Sequence, residues 1–202
     1  MEYTVKSGPS QRDPFMGSAT PFPPEKLVLA VLAPHGGMPA GFDAAVEAAW
    51  GPVELRAGPI PFTWSSYYDA EMGSPLDRYF MTFVRLVDPA TLAQVKEESN
   101  RIEERFSAGG RRTVNLDPGL LALPRFTLAT TKDNPHRVPL ARGIYAEVTL
   151  AWAHGAWQPL PWTYPDWRSP AYHAVLTEAR TRYRAQLHAR GAGAGNDAPG
   201  IA

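Results

Sequence analysis

A chain of 202 residues with 44% hydrophobic side chains can build the core of one domain and is too apolar for a disordered polymer. Its 20 basic and 20 acidic residues cancel, which argues against general nucleic-acid or membrane-surface binding, since both need a field of one sign. Cysteine is absent, which removes disulfides, thiol nucleophiles and thiolate metal sites.

Residues 1–24 are rich in Pro, Ser and Gly, and residues 191–202 in Gly and Ala. Both read as disordered tails around a single domain over 25–190. The continuous apolar run LVLAVLA (27–33) predicts a strand covered on both faces. It is too short to span a bilayer and lacks a basic leader and a cleavage pattern, so the expectation is a cytoplasmic protein. Phe42, Ala45, Val46, Ala49 and Trp50 recur at helical spacing and Gly51 stops that helix. Residues 53–64 read as extended, with Pro59 and Pro61 marking an edge or a break, and residues 78–87 as another strand. Asp88 caps the next helix and Pro89 takes its first position. Leu92, Val95, Ser99, Ile102 and Phe106 then repeat by three and four as far as Gly109-Gly110.

Three more strands are predicted at 113–117, 125–131 and 143–152, and His154-Gly155 turns the chain toward Trp157 and Gln158. Ser169-Pro170 opens a last helix whose Tyr172, Leu176, Ala179, Tyr183 and Leu187 share a face. The first six elements run strand, helix, strand, strand, helix, strand. The prediction is therefore an α+β fold with a ferredoxin-like βαββαβ core, extended by further antiparallel strands and a C-terminal helix.

Side chains on a strand alternate between faces. Val114 and Leu116 oppose Asn115 and Asp117; Ile144, Ala146, Val148 and Leu150 oppose Tyr145, Glu147 and Thr149. Phe126 and Leu128 take the apolar face of their strand, leaving Thr130 and Lys132 unassigned. If the polar faces meet, Asp117, Glu147, Tyr145 and His136 converge, with Lys132 and Arg137 nearby. Such a group could hold a phosphate, or a divalent cation such as Mg²⁺ between Asp117 and Glu147. It could also do acid–base chemistry through Asp117, Glu147 and His136. The competing reading is solvated strand faces and turns: Asn-Leu-Asp-Pro-Gly (115–119) and Lys-Asp-Asn-Pro (132–135) both have turn chemistry.

Two aromatic segments stand out. Residues 64–73 (WSSYYDAEMG) could close over a ligand, or be a loop pinned to the core by Trp64 and Tyr68. Residues 159–168 (PLPWTYPDWR) could stack a ring on Trp162 or Tyr164, or form a rigid strap. Arg112 could reach a phosphate or favour the negative end of the preceding helix. His35, His154, His173 and His188 have no partners at ligand spacing and read as surface or turn residues. The phosphate loop GxxxxGK[ST], GxSxG and HExxH are absent, and GAGAG (191–195) follows a helix with the wrong spacing for a dinucleotide loop.

The segments YYDAEMG (67–73), GRRTVNLDPG (110–119), LATTKDNPHR (128–137), RGIYAEVTL and PLPWTYPDWRS, in that order, resemble the prokaryotic domain-of-unknown-function family 4416. Members are often labelled GTP-binding protein. What the resemblance implies about function is slight, with no established reaction, and the sequence does not support that label in its usual sense: the phosphate loop is absent, and the guanine-reading pattern [NT]KxD fails because the acid after Lys132 comes one place early, at Asp133, so a nucleotide such as GTP would have to bind by another geometry. The expectation is a protein that binds a phosphate-bearing small molecule or nucleotide. Arg112, Asn115, Thr131, Lys132, Arg137, Tyr145, Trp162 and Tyr164 are its candidate contacts. The rival expectation is a non-enzymatic module binding protein or RNA through an exposed apolar patch around Trp157, Trp162 and Trp167.

Overall fold

The computed structural model describes residues 19–194. Strand β1 (Glu25–Pro34) is the centre of the molecule, with every side chain from 27 to 33 fully buried. It is followed by α1 (Phe42–Trp50), β2 (Val53–Phe62), the single-turn α2 (Asp69–Met72) and β3 (Leu76–Val87). Helix α3 (Leu92–Arg105) precedes β4 (Asn115–Leu121), β5 (Arg125–Thr130), β6 (Val138–Ala141), β7 (Ile144–Ala153) and β8 (Ala156–Pro159), and α4 (Pro170–Ala194) closes the chain. The fold is α+β. One antiparallel eight-stranded sheet runs β2-β3-β1-β4-β5-β7-β6, with β8 also paired to β7.

Alternation along β1 supplies both faces of the core. Leu27, Leu29 and Val31 pack with Phe42, Val46, Leu92 and Ile102 of α1 and α3. Val28 and Ala30 pack with Phe80, Phe126, Trp167, Tyr172, Leu176 and Tyr183 on the α4 side. Asp88 caps the start of α3 as its spacing predicts: Oδ1 accepts from the Ala90 N–H at 2.9 Å. Pro89–Thr91 form a 3₁₀ turn before the α-helix proper begins at Leu92. Among the described residues no helix is long and apolar enough to cross a membrane.

Four features depart from the sequence expectations. Residues 115–119 are strand, not turn: β4 continues through Pro118 and Gly119. Pro118 is tolerated because β4 has a partner on one side only at that point. Gly119 is there for close packing, since a Cβ would lie 2.6 Å from the Phe126 ring and 2.8 Å from the Thr127 carbonyl. Second, Leu150 shares the face of Glu147 instead of opposing it. A bulge in the β5–β7 ladder pairs Thr127 with Val148 and Phe126 with Leu150, so Thr149 is the extra residue. Third, β6 is an unforeseen, fully exposed edge strand containing Pro139. Fourth, α4 extends to Ala194, into the segment read as a tail; the tail assignments for 1–18 and 195–202 lie outside the described residues.

The feature that makes a site is a split in the sheet. Strands β4 and β5 pair only at Gly119–Leu128, Leu120–Thr127 and Leu121–Phe126. Upstream of Gly119, β4 pairs with β1 alone, while Ala129 and Thr130 pair with β7 alone. The exposed edge of β4 is satisfied by side chains of α3. The Leu116 N–H donates to Glu103 Oε1 at 2.7 Å, and the Leu116 carbonyl accepts from Lys96 Nζ at 2.8 Å. A buried backbone edge needs such partners, and here two side chains stand where a neighbouring strand would.

Candidate functional site: a polar cleft in the split sheet

The wedge between β4 and β5 opens into a cavity of about 580 Å³. Its walls are Asn115 and Asp117 of β4, Leu128 to Lys132 at the end of β5, and Lys96, Asn100 and Glu103 of α3. Trp64, Tyr67 and Tyr68 come from the β2–α2 loop, and Tyr164, Asp166 and Trp167 from the strap before α4. That size lies within the range of small-molecule sites.

On the β4 side, Arg78 is 2% exposed and donates from Nη1 to Asp117 Oδ2 at 2.9 Å. Its Nη2 lies 3.5 Å from Asp166 Oδ2, and its Nε donates to the Tyr172 hydroxyl at 3.3 Å. Asn115 Nδ2 adds a second donor to Asp117 Oδ2 at 3.1 Å, and its Oδ1 accepts from Arg112 at 2.9 Å. Arg112 also holds Glu71 in a two-pronged pair, with Nε to Oε1 and Nη2 to Oε2 both at 2.7 Å, which ties α2 to the cleft.

On the β5–β7 side, Glu147 is 3% exposed and takes two donors on one oxygen. Arg137 Nε lies at 2.8 Å from Oε2 and His136 Nε2 at 2.9 Å. Arg137 also donates to the Lys132 carbonyl at 2.8 Å and reaches the Tyr164 hydroxyl at 3.3 Å.

These contacts push carboxylates in opposite directions. Burial acts to raise Asp117, but the charges of Arg78 and Lys96 and the bonds from Arg78 and Asn115 outweigh it and hold the carboxyl below the ordinary range. Asp166, on the same guanidinium, is raised: burial dominates, the Asp117 charge adds to it, and Arg78 opposes. Glu103 is raised by burial against the pull of Lys96 and Arg112.

Of the residues singled out from sequence, Asp117, Glu147, Arg112, Asn115, Thr131, Lys132, Arg137 and Tyr164 line the cavity. His136, Tyr145 and Trp162 do not. The His136 ring stacks on Trp162, with centroids 5.0 Å apart and planes 12° apart, and touches Glu147 from outside the cavity lining. Trp162 donates from Nε1 to the Val148 carbonyl at 2.8 Å, and His136 covers one face of its ring. Tyr145 faces Thr130 in the ladder and is half-buried beyond the lining. Asp117 and Glu147 each face a guanidinium, not one another, and among the described residues no three His, Asp or Glu side chains are grouped as metal ligands.

The aromatic segments also differ from expectation. Trp64 is 46% exposed and pins nothing, whereas Tyr68 packs with Phe62, Leu32 and Met72. Trp157 and Trp167 are core residues, each 3% exposed, so they form no surface patch with Trp162. His35 and His173 do find partners, at Asp77 Oδ2 and the Trp167 carbonyl, both 2.9 Å away.

Sequence reasoning missed Arg78, Lys96, Glu103 and Asp166. Arg78 lies near the start of β3, ahead of the run YFMTFV, and Lys96 and Glu103 fall on the buried face of α3, which is the signal that could have found them. Asp166 sits among aromatics that drew the eye to stacking. Comparison with curated proteins and with solved structures gives no match. The family model described as domain of unknown function DUF4416 matches residues 23–183, and the chain belongs to that family.

Proposed function

We propose that the protein binds a phosphate-bearing small molecule, a nucleotide by the chemistry of the walls, in the cleft between β4 and β5. One observation carries this reading. Lys132 is exposed and lines the cleft, and its ammonium has no hydrogen-bonded or ion-paired partner among the described residues; Nζ lies 4.7 Å from the centre of the Tyr67 ring. A cation left unpaired beside aromatic walls suits an anionic group attached to a flat ring. Acid–base action on the ligand fits the same cleft, since two carboxyls on one guanidinium are moved apart, Asp166 upward by burial and Asp117 downward because Arg78 and Lys96 outweigh its burial.

The strand order β2-β3-β1-β4, antiparallel throughout and with α1 and α3 on one face, supports reading the first half as a ferredoxin-like unit. The cysteine-free composition suits a cytoplasmic setting. The rival, a module for protein or RNA, has less support because two of its three tryptophans are core residues.

Thermal-shift measurements against nucleotides, with and without Mg²⁺, test the proposal. A ligand should raise the melting temperature of the wild type, and Lys132→Ala and Glu147→Gln should both lose the shift. If both variants respond as the wild type does, the site lies elsewhere.

A further inference from the structure

We infer that the ligand is an amino-bearing nucleoside monophosphate and not a nucleoside triphosphate, an inference that rests on the cleft being a nucleotide site. The ground is the inventory of charge around the cavity. Five cationic side chains line it: Arg78, Lys96, Arg112, Lys132 and Arg137. Four of them already have carboxylate partners. Arg78 pairs with Asp117 and Asp166, Lys96 with Glu103, Arg112 with Glu71 and Glu103, and Arg137 with Glu147. A phosphate that recruited Arg78 or Arg137 would leave the buried Asp166 or Glu147 without its counter-charge, which is strongly unfavourable. Lys96 and Arg112 share the buried Glu103, and Arg112 also holds Glu71. Of the five, Lys132 alone answers an anion without breaking an ion pair, and one ammonium answers one anionic group.

The remaining appetite of the cleft is for donors. Both donors to Asp117 converge on Oδ2, and both donors to Glu147 converge on Oε2. Asp117 Oδ1 and Glu147 Oε1 make no hydrogen bond among the described residues, and both residues line the cavity. Ionised carboxylate oxygens are acceptors only. They attract the two-donor exocyclic amine of a nucleobase and repel a chain of phosphates. The ligand therefore carries one anionic group for Lys132 and amine donors for the carboxylate oxygens. Tyr68 and Tyr164 also line the cavity.

Isothermal titration of the full chain in EDTA tests this, with AMP, GMP, CMP and UMP, the matching triphosphates, and the nucleosides. At least one of AMP, GMP and CMP should bind roughly tenfold or more tightly than its own triphosphate, its own nucleoside and UMP, which lacks the exocyclic amine. Lys132→Ala should bring the affinity for that monophosphate down to the level of its nucleoside, while the unliganded variant melts as the wild type does. A triphosphate that binds as well as or better than its monophosphate overturns the inference and leaves the nucleotide reading standing. So does UMP matching the amino-bearing monophosphates. If no nucleotide or nucleoside binds, the inference and the reading fall together.

Discussion

Arg78 and Asp117 meet over the top of a strand that lies between them. Arg78 stands opposite Leu32 on one side of β1, and Asp117 stands opposite Ala30 on the other. The small side chain of Ala30 leaves the guanidinium room to cross, and the 2.9 Å bond joins β3 to β4 on the α4 face of the sheet. Since Asp166 and Tyr172 take two further donors of Arg78, one cation fixes the β4 wall of the cleft against the segment that leads into α4.

Replacing Arg78 by Met should therefore cost about 3–5 kcal/mol of stability, the usual loss when one member of a buried ion network is removed. Adding Asp117→Asn and Asp166→Asn to that variant should recover most of it, because the cost is that of stranded charge. Urea unfolding of the single and triple variants measures both. A triple variant less stable than the single one would contradict the account.

The opposed carboxylates give stability two distinct pH windows. Asp117 titrates below its unfolded value near 3.9, so its contribution is complete above that value and disappears as pH falls through the depressed one. Asp166 and Glu103 titrate above their unfolded values. Their contribution is present at low pH and is lost as pH rises from the ordinary carboxyl range to the raised native values. Unfolding free energies measured across the acid range should show Asp117→Asn flattening the lower window and Asp166→Asn removing part of the loss in the upper one. Carboxyl-carbon NMR titration should place Asp117 below Asp166.

Gly119→Ala should destabilise the protein by about 1–3 kcal/mol, the cost of overpacking. The Phe126 ring can shift a little, but the Thr127 carbonyl belongs to the ladder and cannot. Thermal melting measures this directly. A melting temperature unchanged from the wild type would show that the β4–β5 contact is looser than its 2.8 Å approach implies.

Glu71→Gln removes the two-pronged hold of Arg112 on α2. Both side chains are about one-third exposed, so global stability should fall by less than about 1 kcal/mol. The local effect should be larger. The amides of Glu71, Met72 and Gly73, bonded within that turn and its cap, should exchange with solvent faster than in the wild type, while core amides of β1 keep their rates. Hydrogen exchange read by mass spectrometry separates the two regions.

What the sequence made legible follows from periodicity. The run 27–33, the buried stripe of α4 and the Asp88 cap all repeat at spacings set by backbone geometry, and all three are found. Of the four residues expected to converge, Asp117 and Glu147 line one space together with Lys132 and Arg137, while Tyr145 and His136 lie outside its lining. The failures share a different cause. Gly119 was ambiguous because glycine serves both turns and close packing, and only the position of Phe126 decides between them. Leu150 changed faces because of a bulge, which leaves no local mark in the chain. Arg78 and Asp166 are far apart in sequence, and no local pattern announces that they meet.

Among the described residues, strand pairing joins β5, β7, β6 and β8 to the rest of the sheet at three residue pairs only, with the Arg125–Glu25 ion pair beside them. The two leaves share a short seam, with Gly119, Leu120 and Leu121 on one side and Phe126, Thr127 and Leu128 on the other. Asp117 lies on one leaf and Glu147 on the other, so the spacing between them depends on how the leaves meet at this seam. The reach of the binding groups is thus governed by packing at the opposite end of the gap, where a phenyl ring lies against a residue with no side chain.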